Sequence, residues 1–499
     1  MEFVAPSREP LARTIRISSL AALAGLVPHY LLFYLARTPL LTDQIAEWIM
    51  ARTPSPWTVW ILTYLGAWAK PCAETGALAV LGFSLFLVRF ISRYLPQGWL
   101  GRAAPLLIGI AVACAVEWSC GYASALGSIA FWAPAIALVA LVPSRRIERS
   151  DLASPGRRQA IVQVAQATLP LVMGSGVVAV AAESFFRDRL LSGEAAKPRD
   201  LFPFNPPDRS AFAAGLVRKA VTPVREFYGM SKDSVDPVVD TRTWRLRITV
   251  EGNLIRSFRF GDLLAMDRQI RYVTLRCISN TLQSDLMGTA QWAGLHLSQL
   301  VDRNELPPDI LEAAFLGVEG HDDSLKIDYA YGPETMLAFG MNGKTLSRLH
   351  GFPMRLLAPR YYGCRNVKWI SEIRFVRKPY YGTWQRLGYT NEPVIHTASH
   401  IDRMRRDGPL LELGGASFAG DRGIRAVRVR ANNGPWEPAR LEAPLSAYTW
   451  TRWAAQLRAP DGARIEANAQ DGCGTWQELA GGNPFPNGPY GPTIVIAQV

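Results

Sequence analysis

The chain has 499 residues, more than one hydrophobic core usually organises, so two or three domains are expected. Its net charge is +12, but the sequence has neither a basic stripe with interleaved aromatic residues nor zinc-finger spacing, which argues against binding to nucleic acid. None of the six cysteines forms a CxxC pair, so a CxxCH haem attachment is excluded and no disulfide framework is evident.

Residues 1–182 predict an all-α transmembrane domain. Apolar runs of about 17 or more residues are long enough to cross a bilayer, and five such runs occur here, at 17–36, 73–91, 103–121, 126–142 and 161–182. The shorter run 57–69 is rich in Trp and Tyr, which is typical of an interfacial helix, with a sixth crossing as the alternative.

Arginines mark alternate loops of this domain. They precede the first run, separate the second from the third and precede the fifth, as Arg8, Arg13, Arg16, Arg89, Arg93, Arg102, Arg145, Arg146, Arg149, Arg157 and Arg158. Because cytoplasmic loops of membrane proteins are enriched in Lys and Arg, we expect a multi-pass protein of the bacterial inner membrane whose later domains are periplasmic. Arg157 and Arg158 also resemble an internal twin-arginine export signal, with an ordinary pair of loop arginines as the alternative.

The chain after residue 182 has a mixed composition. Residues 183–222 are Pro-rich and charged, which is typical of a linker or of a strap over a domain surface. Alternation of apolar and polar residues at 244–250 predicts a half-buried strand, and 271–275 predicts another.

The final segment, 406–499, has an all-β pattern. Residues 424–430 alternate, 432–434 form a turn and 436–441 return. This pattern predicts a β-sandwich.

One stretch carries a candidate reactive group. Residues 272–300 read YVTLRCISNTLQSDLMGTAQWAGLHLSQL, which places Cys277 at the end of a predicted strand, ahead of a turn containing Ser279 and Asn280. A thiolate at a strand end can act as a nucleophile or as a soft ligand to a metal. A buried structural cysteine is the alternative.

Two further blocks accompany it. Residues 337–373 read LAFGMNGKTLSRLHGFPMRLLAPRYYGCRNVKWISEI, and residues 227–237 read FYGMSKDSVDP. A Cys followed three residues later by Asn and then by GxAxWxGxxL, with MNG, HGFPxR, PxxxG and VKW in this order, resembles the sulfite oxidase family of molybdenum oxidoreductases. The resemblance covers most of residues 225–390 and implies an α+β molybdopterin domain, bounded here at 223–405.

The resemblance implies a molybdenum–molybdopterin cofactor with Cys277 as the thiolate ligand to the metal. Tyr389 corresponds to a tyrosine that borders the metal-oxo group and is the second candidate catalytic residue, with Tyr381 or Tyr362 as alternatives for that position. The implied cofactor-binding residues, several of them cations suited to a phosphate, are Tyr228, Ser231, Lys232, Asn280, His350, Arg355, Asn366, Val367 and Lys368. The C-terminal segment resembles the family's immunoglobulin-like dimerisation domain, so a homodimer is an expectation.

Two positions depart from the family pattern. Met230 and Leu282 stand where arginines handle sulfite, so the expected substrate is less charged, such as a sulfoxide, an N-oxide or another small oxo acceptor or donor. His29 is the only histidine before residue 193 and no cysteine set suits an iron–sulfur cluster, so no haem or cluster is predicted in this chain. Electrons would therefore pass to a separate carrier, a cytochrome or a quinone-linked protein.

Several alternatives stay open at this point. Glu74 and Glu117 lie in or near the apolar runs, and Glu117 is the better candidate for a proton or quinone contact, with a helix end equally compatible. The chain could be a membrane-tethered cofactor-binding or assembly protein without turnover. It could also be a cysteine-nucleophile enzyme with His350 or His396 as base.

Overall fold

A computed structural model describes residues 11–36, 41, 44–45, 49, 69–92, 108–113, 131–137, 139, 198–233, 236–482 and 484–497. The chain divides into two compact units. One comprises residues 1–54 and 67–192, and the other comprises residues 55–66 and 193–499.

The described helices of the first unit are α1, Leu11–Ala36, and α2, Ala69–Ser92. Apolar side chains of both helices pack in one cluster with Phe131, and Gly25 lies so close to this ring that a Cβ there would be 2.9 Å from its Cδ2 atom. The cluster also encloses polar groups. The buried His29 accepts a hydrogen bond through Nε2 from the Leu41 amide at 2.8 Å, and the buried Arg89 donates to the Val139 carbonyl at 3.0 Å.

The predicted transmembrane bundle is wrong. Within the residues that the structure describes, no helix combines the length and the apolarity needed to cross a membrane. Pro28 interrupts the run in α1, and Glu74 and Arg89 interrupt the run in α2. The two helices also begin with charged residues, Arg13 and Arg16 in α1 and Lys70 in α2. The remaining predictions for this region, the run 161–182, the twin-arginine pair and Glu117, lie outside the described residues.

The second unit begins with a strap. Residues 198–222 contain no strand or helix and bind the surface of the following domain through their backbone. The Leu201 amide donates to the Gly343 carbonyl at 2.8 Å, and the Thr222 amide donates to the Thr289 carbonyl at 2.8 Å. Of the two predicted roles for this segment, the described part takes that of a strap.

Two sheets build the domain that follows. The first, called the site sheet, has the strand order β3-β4-β7-β8 with β9 beside β7, and the second, called the flanking sheet, has the order β2-β1-β10-β5-β6. Only the β1–β10 pair of the flanking sheet is parallel among the described strands. The strands are β1 Leu246–Val250, β2 Asn253–Phe258, β3 Gln269–Arg276, β4 Met287–Leu295, β5 Glu312–Gly317, β6 Asp322–Lys326, β7 Met336–Met341, β8 Lys344–Thr345, β9 Arg355–Leu357 and β10 Ile370–Val376.

Short helices lie in the longer connections between these strands and flank them. The α-helices are α3 Phe260–Leu264, α4 Ile327–Ala330 and α5 Thr383–Arg386, and the 3-10 helices are Val224–Glu226, Leu297–Gln299, Arg303–Glu305 and Gly363–Arg365. The core contains fully buried side chains of both sheets, including Ile248, Leu295, Phe315, Phe339 and Phe375.

The C-terminal part is a β-sandwich. Its two antiparallel sheets have the orders β11-β12-β16-β15 and β14-β13-β17-β18, and Leu413, Val427, Trp453 and Ile465 from both sheets share one core. The strands are β11 Ala398–Asp407, β12 Leu410–Phe418, β13 Ile424–Ala431, β14 Glu437–Pro438, β15 Arg440–Leu441, β16 Thr451–Arg458, β17 Arg464–Asp471 and β18 Thr493–Ile496, with a 3-10 helix at Gly420–Arg422. The immunoglobulin-like relationship and the dimer stay predictions.

The sandwich is joined to the edge of the site sheet. The Thr274 amide on β3 donates to the Tyr448 carbonyl at 2.9 Å, and the Trp450 amide donates to the Thr274 hydroxyl at 3.0 Å. The Ser446 hydroxyl donates to the Tyr272 carbonyl at 2.6 Å. Strand β3 is therefore held by β4 on one side and by the sandwich on the other.

Candidate functional site

Cys277 is the first residue after β3. Its amide donates to the Leu286 carbonyl at 3.0 Å, which closes the 278–286 loop between β3 and β4. The side chain is 6% exposed. Burial raises the pKa of the thiol, and hydrogen bonds from Ser279 and from the Ile278 amide oppose this effect. Polar hydrogens thus converge on this sulfur, an arrangement that suits a thiolate.

The 3-10 helix Gly363–Arg365 forms a second wall beside this sulfur. A Cβ at Gly363 would lie 3.0 Å from the Tyr228 hydroxyl oxygen and 3.6 Å from the Cys277 Cα atom, so only glycine leaves this space free. The following Cys364, a residue that the motif analysis missed, is partly buried, and its Sγ lies 3.9 Å from the Tyr362 carbonyl oxygen. Burial raises the pKa of this thiol as well, and the charge of Cys277 contributes to the rise.

Tyr389 lies beside the same loop. It is buried and receives a side-chain hydrogen bond from Ser279, while burial and the nearby Cys277 raise the pKa of its phenol. Trp384 and Phe485 contact its ring edge-to-face, with centroids 5.7 and 4.9 Å away. The phenol is therefore protonated at neutral pH and held on three sides.

The two alternatives for this tyrosine lie elsewhere. Tyr381 is 55% exposed. The hydroxyl of the buried Tyr362 donates to the Pro489 carbonyl at 3.4 Å and accepts from the His396 amide at 3.3 Å. The geometry favours Tyr389 of the three.

Arg355 is a buried cation with spare hydrogen-bonding capacity. Its Nη1 and Nη2 atoms donate to the carbonyls of His350 and Asn366, both at 3.3 Å, and its Cζ lies 5.3 Å from the Trp292 ring centroid. Burial lowers its pKa to about 10, so the charge persists at neutral pH. The Nε atom is buried and has no hydrogen-bond partner within the described residues.

Lys368 adjoins Arg355 across a glycine. A Cβ at Gly351, whose φ is +101°, would lie 3.0 Å from the Lys368 Cβ and 3.2 Å from the Arg355 Cβ. The Lys368 ammonium donates to the Ser231 hydroxyl at 2.8 Å and to the Leu349 carbonyl at 2.9 Å. Glycine at 351 thus lets two cations approach each other. Lys232 pairs with Asp233 at 2.5 Å on the same segment as Ser231.

His350 links the segment 224–228 to the cations Arg355 and Lys368. Its Nε2 lies 3.2 Å from the Val224 carbonyl oxygen, and its ring contacts Phe227 edge-to-face at 5.4 Å. Burial lowers the pKa of His350 to about 4, so it is neutral at pH 7. Tyr228 stacks on Phe227 at 5.5 Å and reaches Gly363, so the segment runs from the cations to the vicinity of Cys277.

Three of the predicted cofactor-binding residues have side chains that make contacts within the fold. With the Asn280 amide turned so that both of its polar atoms are satisfied, its nitrogen donates to the Ser284 hydroxyl at 2.8 Å and to the Ser284 carbonyl at 2.9 Å. Asn366 accepts from the Ala358 amide at 2.8 Å and donates to the Tyr362 carbonyl at 3.1 Å. Val367 is fully buried in the core. These residues fix the loops that carry the site.

The cysteine-nucleophile alternative lacks a base. No hydrogen bond joins Cys277 to His350 or to His396 in the part of the chain that the structure describes. His350 contacts the Val224 carbonyl, and the His396 ring lies 5.5 Å from that of Tyr490. Neither imidazole is paired with the thiol, as activation of a nucleophile would require.

A polar pair that the sequence analysis missed lies on the turn between β5 and β6. The Oε2 atom of Glu319 and the Nε2 atom of His321 are buried without a hydrogen-bond partner in the described structure. The charges of Lys232 and Lys368 act on both side chains. No spacing rule marks this pair, because only the folded β5–β6 turn brings it to the cations.

Comparisons with known proteins identify the class. Residues 233–384 match the family described as "Oxidoreductase molybdopterin binding domain". Human mitochondrial sulfite oxidase is 28% identical over 297 residues, which are 49% of this chain and 54% of that protein. The protein-methionine-sulfoxide reductase catalytic subunit MsrP of Xanthomonas campestris pv. campestris is 28% identical over 188 residues, 34% of this chain and 57% of that subunit.

Solved structures also match the chain. The sulfane dehydrogenase SoxCD from Paracoccus pantotrophus aligns with a TM-score of 0.49 and 16% identity, over 72% of this chain and 96% of that chain. The chain spans about half the length of the curated relatives that it matches.

Residues 233–384 thus match a molybdopterin-binding domain, and the chain is similar to sulfite oxidases over about half of its length. The predictions of the family, of the enzyme class and of a molybdenum–molybdopterin cofactor are confirmed. The residues present fit this cofactor. Arg355 offers a buried unpaired donor for a phosphate. The absence of a side chain at Gly363 lets the 363–365 helix approach Cys277 and the Tyr228 hydroxyl closely.

Glu319 makes the stability of the cofactor-free protein depend on pH. Burial raises the pKa of Glu319 to about 8. The negative charge of Asp233 also raises this pKa, whereas the positive charges of Lys368 and Lys232 lower it. The folded state therefore holds this proton up to a higher pH than the unfolded state does. Its contribution to stability is fully present below the ordinary glutamate pKa and is lost as the pH rises to about 8, with a slope of at most about 1.4 kcal/mol per pH unit.

We expect Glu319→Gln to remove this slope. Chemical denaturation between pH 5 and pH 9 measures the free energy of unfolding for both proteins. The variant should gain stability relative to the wild type as the pH rises. A difference that stays constant over this range would contradict the assignment.

Proposed function

We propose that this chain catalyses oxygen-atom transfer on a small oxo substrate, with Cys277 as the protein ligand to the molybdenum of its cofactor. The observation that carries the proposal is the buried Cys277 thiol, which receives polar hydrogens from residues 278–279 beside Tyr228 and Tyr389. Molybdenum favours soft sulfur donors, and a single protein thiolate leaves a face open for substrate.

Each part of the site has a distinct task. When bound, the molybdenum–pterin centre supplies the two-electron oxygen-atom chemistry. The Ile278 amide and Ser279 stabilise the Cys277 thiolate. Arg355 and Lys368 bind the pterin phosphate, Arg355 through its free Nε atom. Because β3 is hydrogen-bonded along both edges, the sulfur stays fixed during turnover.

Tyr389 acts on the substrate oxygen. Its phenol keeps its proton at neutral pH, so it can donate a hydrogen bond and help to move a proton. Ser279 orients the hydroxyl, while Trp384 and Phe485 exclude water from the ring faces.

The substrate is a neutral oxo compound, with a sulfoxide or an N-oxide as the first candidates. Met230 and Leu282 occupy the positions of the family's sulfite-binding arginines, and Met230 is 41% exposed. A dianion calls for converging cations, whereas a sulfoxide needs one hydrogen-bond donor. The similarity to a protein named for methionine-sulfoxide reduction supports this choice. Electrons reach the site from a separate carrier, and the extracytoplasmic placement stays a prediction.

Replacement of the metal-binding thiol tests the central residue. Cys277→Ser should lower turnover with a dye as electron donor by more than about a hundredfold. Mutation of residues that only hydrogen-bond to a metal ligand already lowers activity by about 10- to 100-fold, and loss of the ligand itself should cost more. Pterin content should persist because Arg355 and Lys368 remain. Cys473→Ser, at an exposed cysteine, is the control and should match the wild type. A fully pterin-loaded wild type without turnover on any oxo substrate would instead indicate a cofactor-binding protein.

Removal of one hydroxyl tests the role of Tyr389. Tyr389→Phe should lower kcat by about a hundredfold, the lower end of general-acid contributions, with the pterin and molybdenum contents unchanged. Tyr381→Phe, at an exposed tyrosine, should leave kcat within twofold of the wild type. Equal kcat values for the two variants would remove Tyr389 from the mechanism.

Restoring charge tests the substrate class. The double variant Met230→Arg with Leu282→Arg should lower KM for sulfite at least about tenfold through charge-assisted hydrogen bonds, while reduction of dimethyl sulfoxide is unchanged or slower. Met230→Gln with Leu282→Gln controls for polarity without charge. Efficient sulfite oxidation by the wild type would contradict the proposed preference for neutral substrates.

A further inference from the structure

The loop that follows the metal-binding thiol, 278–286, has two halves with different contacts. Its first half lies beside the thiol, because Ser279 hydrogen-bonds to that sulfur and to Tyr389. Its second half turns on itself, since the Ser284 amide donates to the Thr281 carbonyl at 3.2 Å. A hydrogen bond within the loop shapes it but does not fix it to the rest of the protein. The second half needs a contact with another element.

One side chain joins this second half to the sandwich. The Gln283 Nε2 atom donates to the Ile401 carbonyl at 3.1 Å, and the Ile401 amide donates to the Gln283 Oε1 atom, also at 3.1 Å. Ile401 is 5% exposed, so water competes little for its backbone groups. The side-chain amide thus uses both its donor and its acceptor on one buried residue of a distant segment.

Ile401 can receive this pair of hydrogen bonds because β11 is an edge strand. Among the described strands β11 is paired with β12 alone, and the register of that pair shifts between Ile401 and Arg403. The N–H and C=O groups on the open side of an edge strand need partners that no neighbouring strand supplies. The Gln283 amide supplies both partners at Ile401, as a further strand would.

A second contact of the same half of the loop is weaker. The Asp285 Oδ1 atom lies 4.0 Å from the Arg218 Nη2 atom and 3.9 Å from the His400 Nε2 atom. The Asp285 side chain is 94% exposed, and exposed ion pairs contribute little because water and salt screen them. The half-buried Gln283 therefore provides the stronger attachment of the loop to the sandwich.

We propose that Gln283 is a positioning residue, which binds the 278–286 loop to the sandwich and thereby holds Leu282 where the substrate enters. The role of Leu282 rests on the proposed function. Cys277 does not depend on the Gln283 contact, because strand β3 and the Leu286 carbonyl hold it in place. Loss of the contact should therefore weaken the binding of substrate and leave the metal-binding thiol where it is.

Hydrogen exchange of the cofactor-loaded full chain measures how firmly the loop is held. Gln283→Met keeps the length of the side chain but removes the amide, so peptides covering 278–286 should exchange about tenfold faster, as the loss of two neutral hydrogen bonds implies. Gln283→Glu keeps the acceptor for the Ile401 amide and should give an intermediate rate. Gln456→Met, at an exposed glutamine of β16, is the matched control and should exchange like the wild type.

Steady-state kinetics with a dye as electron donor measures the consequence for the substrate. Gln283→Met should raise KM for dimethyl sulfoxide at least about threefold, because only molecules with an ordered loop are competent to bind. Its kcat should stay within about twofold of the wild type, since the interaction lost is one of binding. Gln283→Glu should recover part of the KM. A merely structural role would lower thermal stability without separating KM from kcat.

Two results would overturn the inference. One is exchange of the 278–286 peptides in Gln283→Met at the wild-type rate, and the other is faster exchange with an unchanged KM. A wild type without turnover would overturn the proposed function and with it the role of Leu282, and the exchange rates would then decide whether Gln283 holds the loop. Circular dichroism shows whether each variant is folded. Should Gln283→Met fail to fold, Gln283→Glu decides, with exchange equal to that of Gln456→Met as the contradicting result.

Discussion

Hydrogen bonds along both edges of strand β3 fix the position of Cys277, the residue that follows this strand. Strand β3 pairs with β4 along one edge and receives hydrogen bonds from residues 446–450 of the sandwich at the other. The strand therefore ends at a fixed point, and the Cys277 amide is bound to the Leu286 carbonyl across the loop. Everything else in the site is arranged around this point, which is why a residue with no catalytic group of its own, Thr274, matters for function.

The charged residues and the neutral polar residues of the site come from different strands and loops. Arg355, on β9, and Lys368, just before β10, are brought together by the missing side chain at Gly351. Two neutral groups accompany them: Tyr389 lies near the Cys277 thiol, and the Glu319–His321 pair lies near Lys232 and Lys368. Burying such groups without partners costs stability. A ligand that completes their hydrogen bonds converts this cost into binding free energy.

The parts predicted from the sequence are those where local pattern decides structure. Alternation predicted β1 and β13, and a short apolar stretch predicted β3, each within a few residues of the strand in the structure. The ordered motifs predicted Cys277, Arg355 and Lys368, which the structure places at or near strand ends. Motif spacing does not say which way a side chain points. Asn280, Asn366 and Val367 match the motif, yet their side chains bind loops or fill the core.

The remaining parts depend on contacts between distant segments. Cys364 and His321 come near the site only through the folding of the 363–365 helix and of the β5–β6 turn. The PxxxG and VKW motifs flank Cys364 but do not mark it, and no motif marks His321. The transmembrane prediction failed for another reason. It counted the apolar residues of each run and gave too little weight to Pro28 in α1 and to Arg89 in α2. Arg89 is buried and donates a hydrogen bond to the Val139 carbonyl.

X-ray diffraction from the purified, cofactor-loaded chain, recorded at the molybdenum absorption edge, tests the central claim most directly. The account predicts one anomalous peak within bonding distance of the Cys277 Sγ atom, on the side that Tyr389 and Cys364 face. A molybdenum peak bound to a different protein ligand, with the Cys277 thiol packed away from it, would contradict the account.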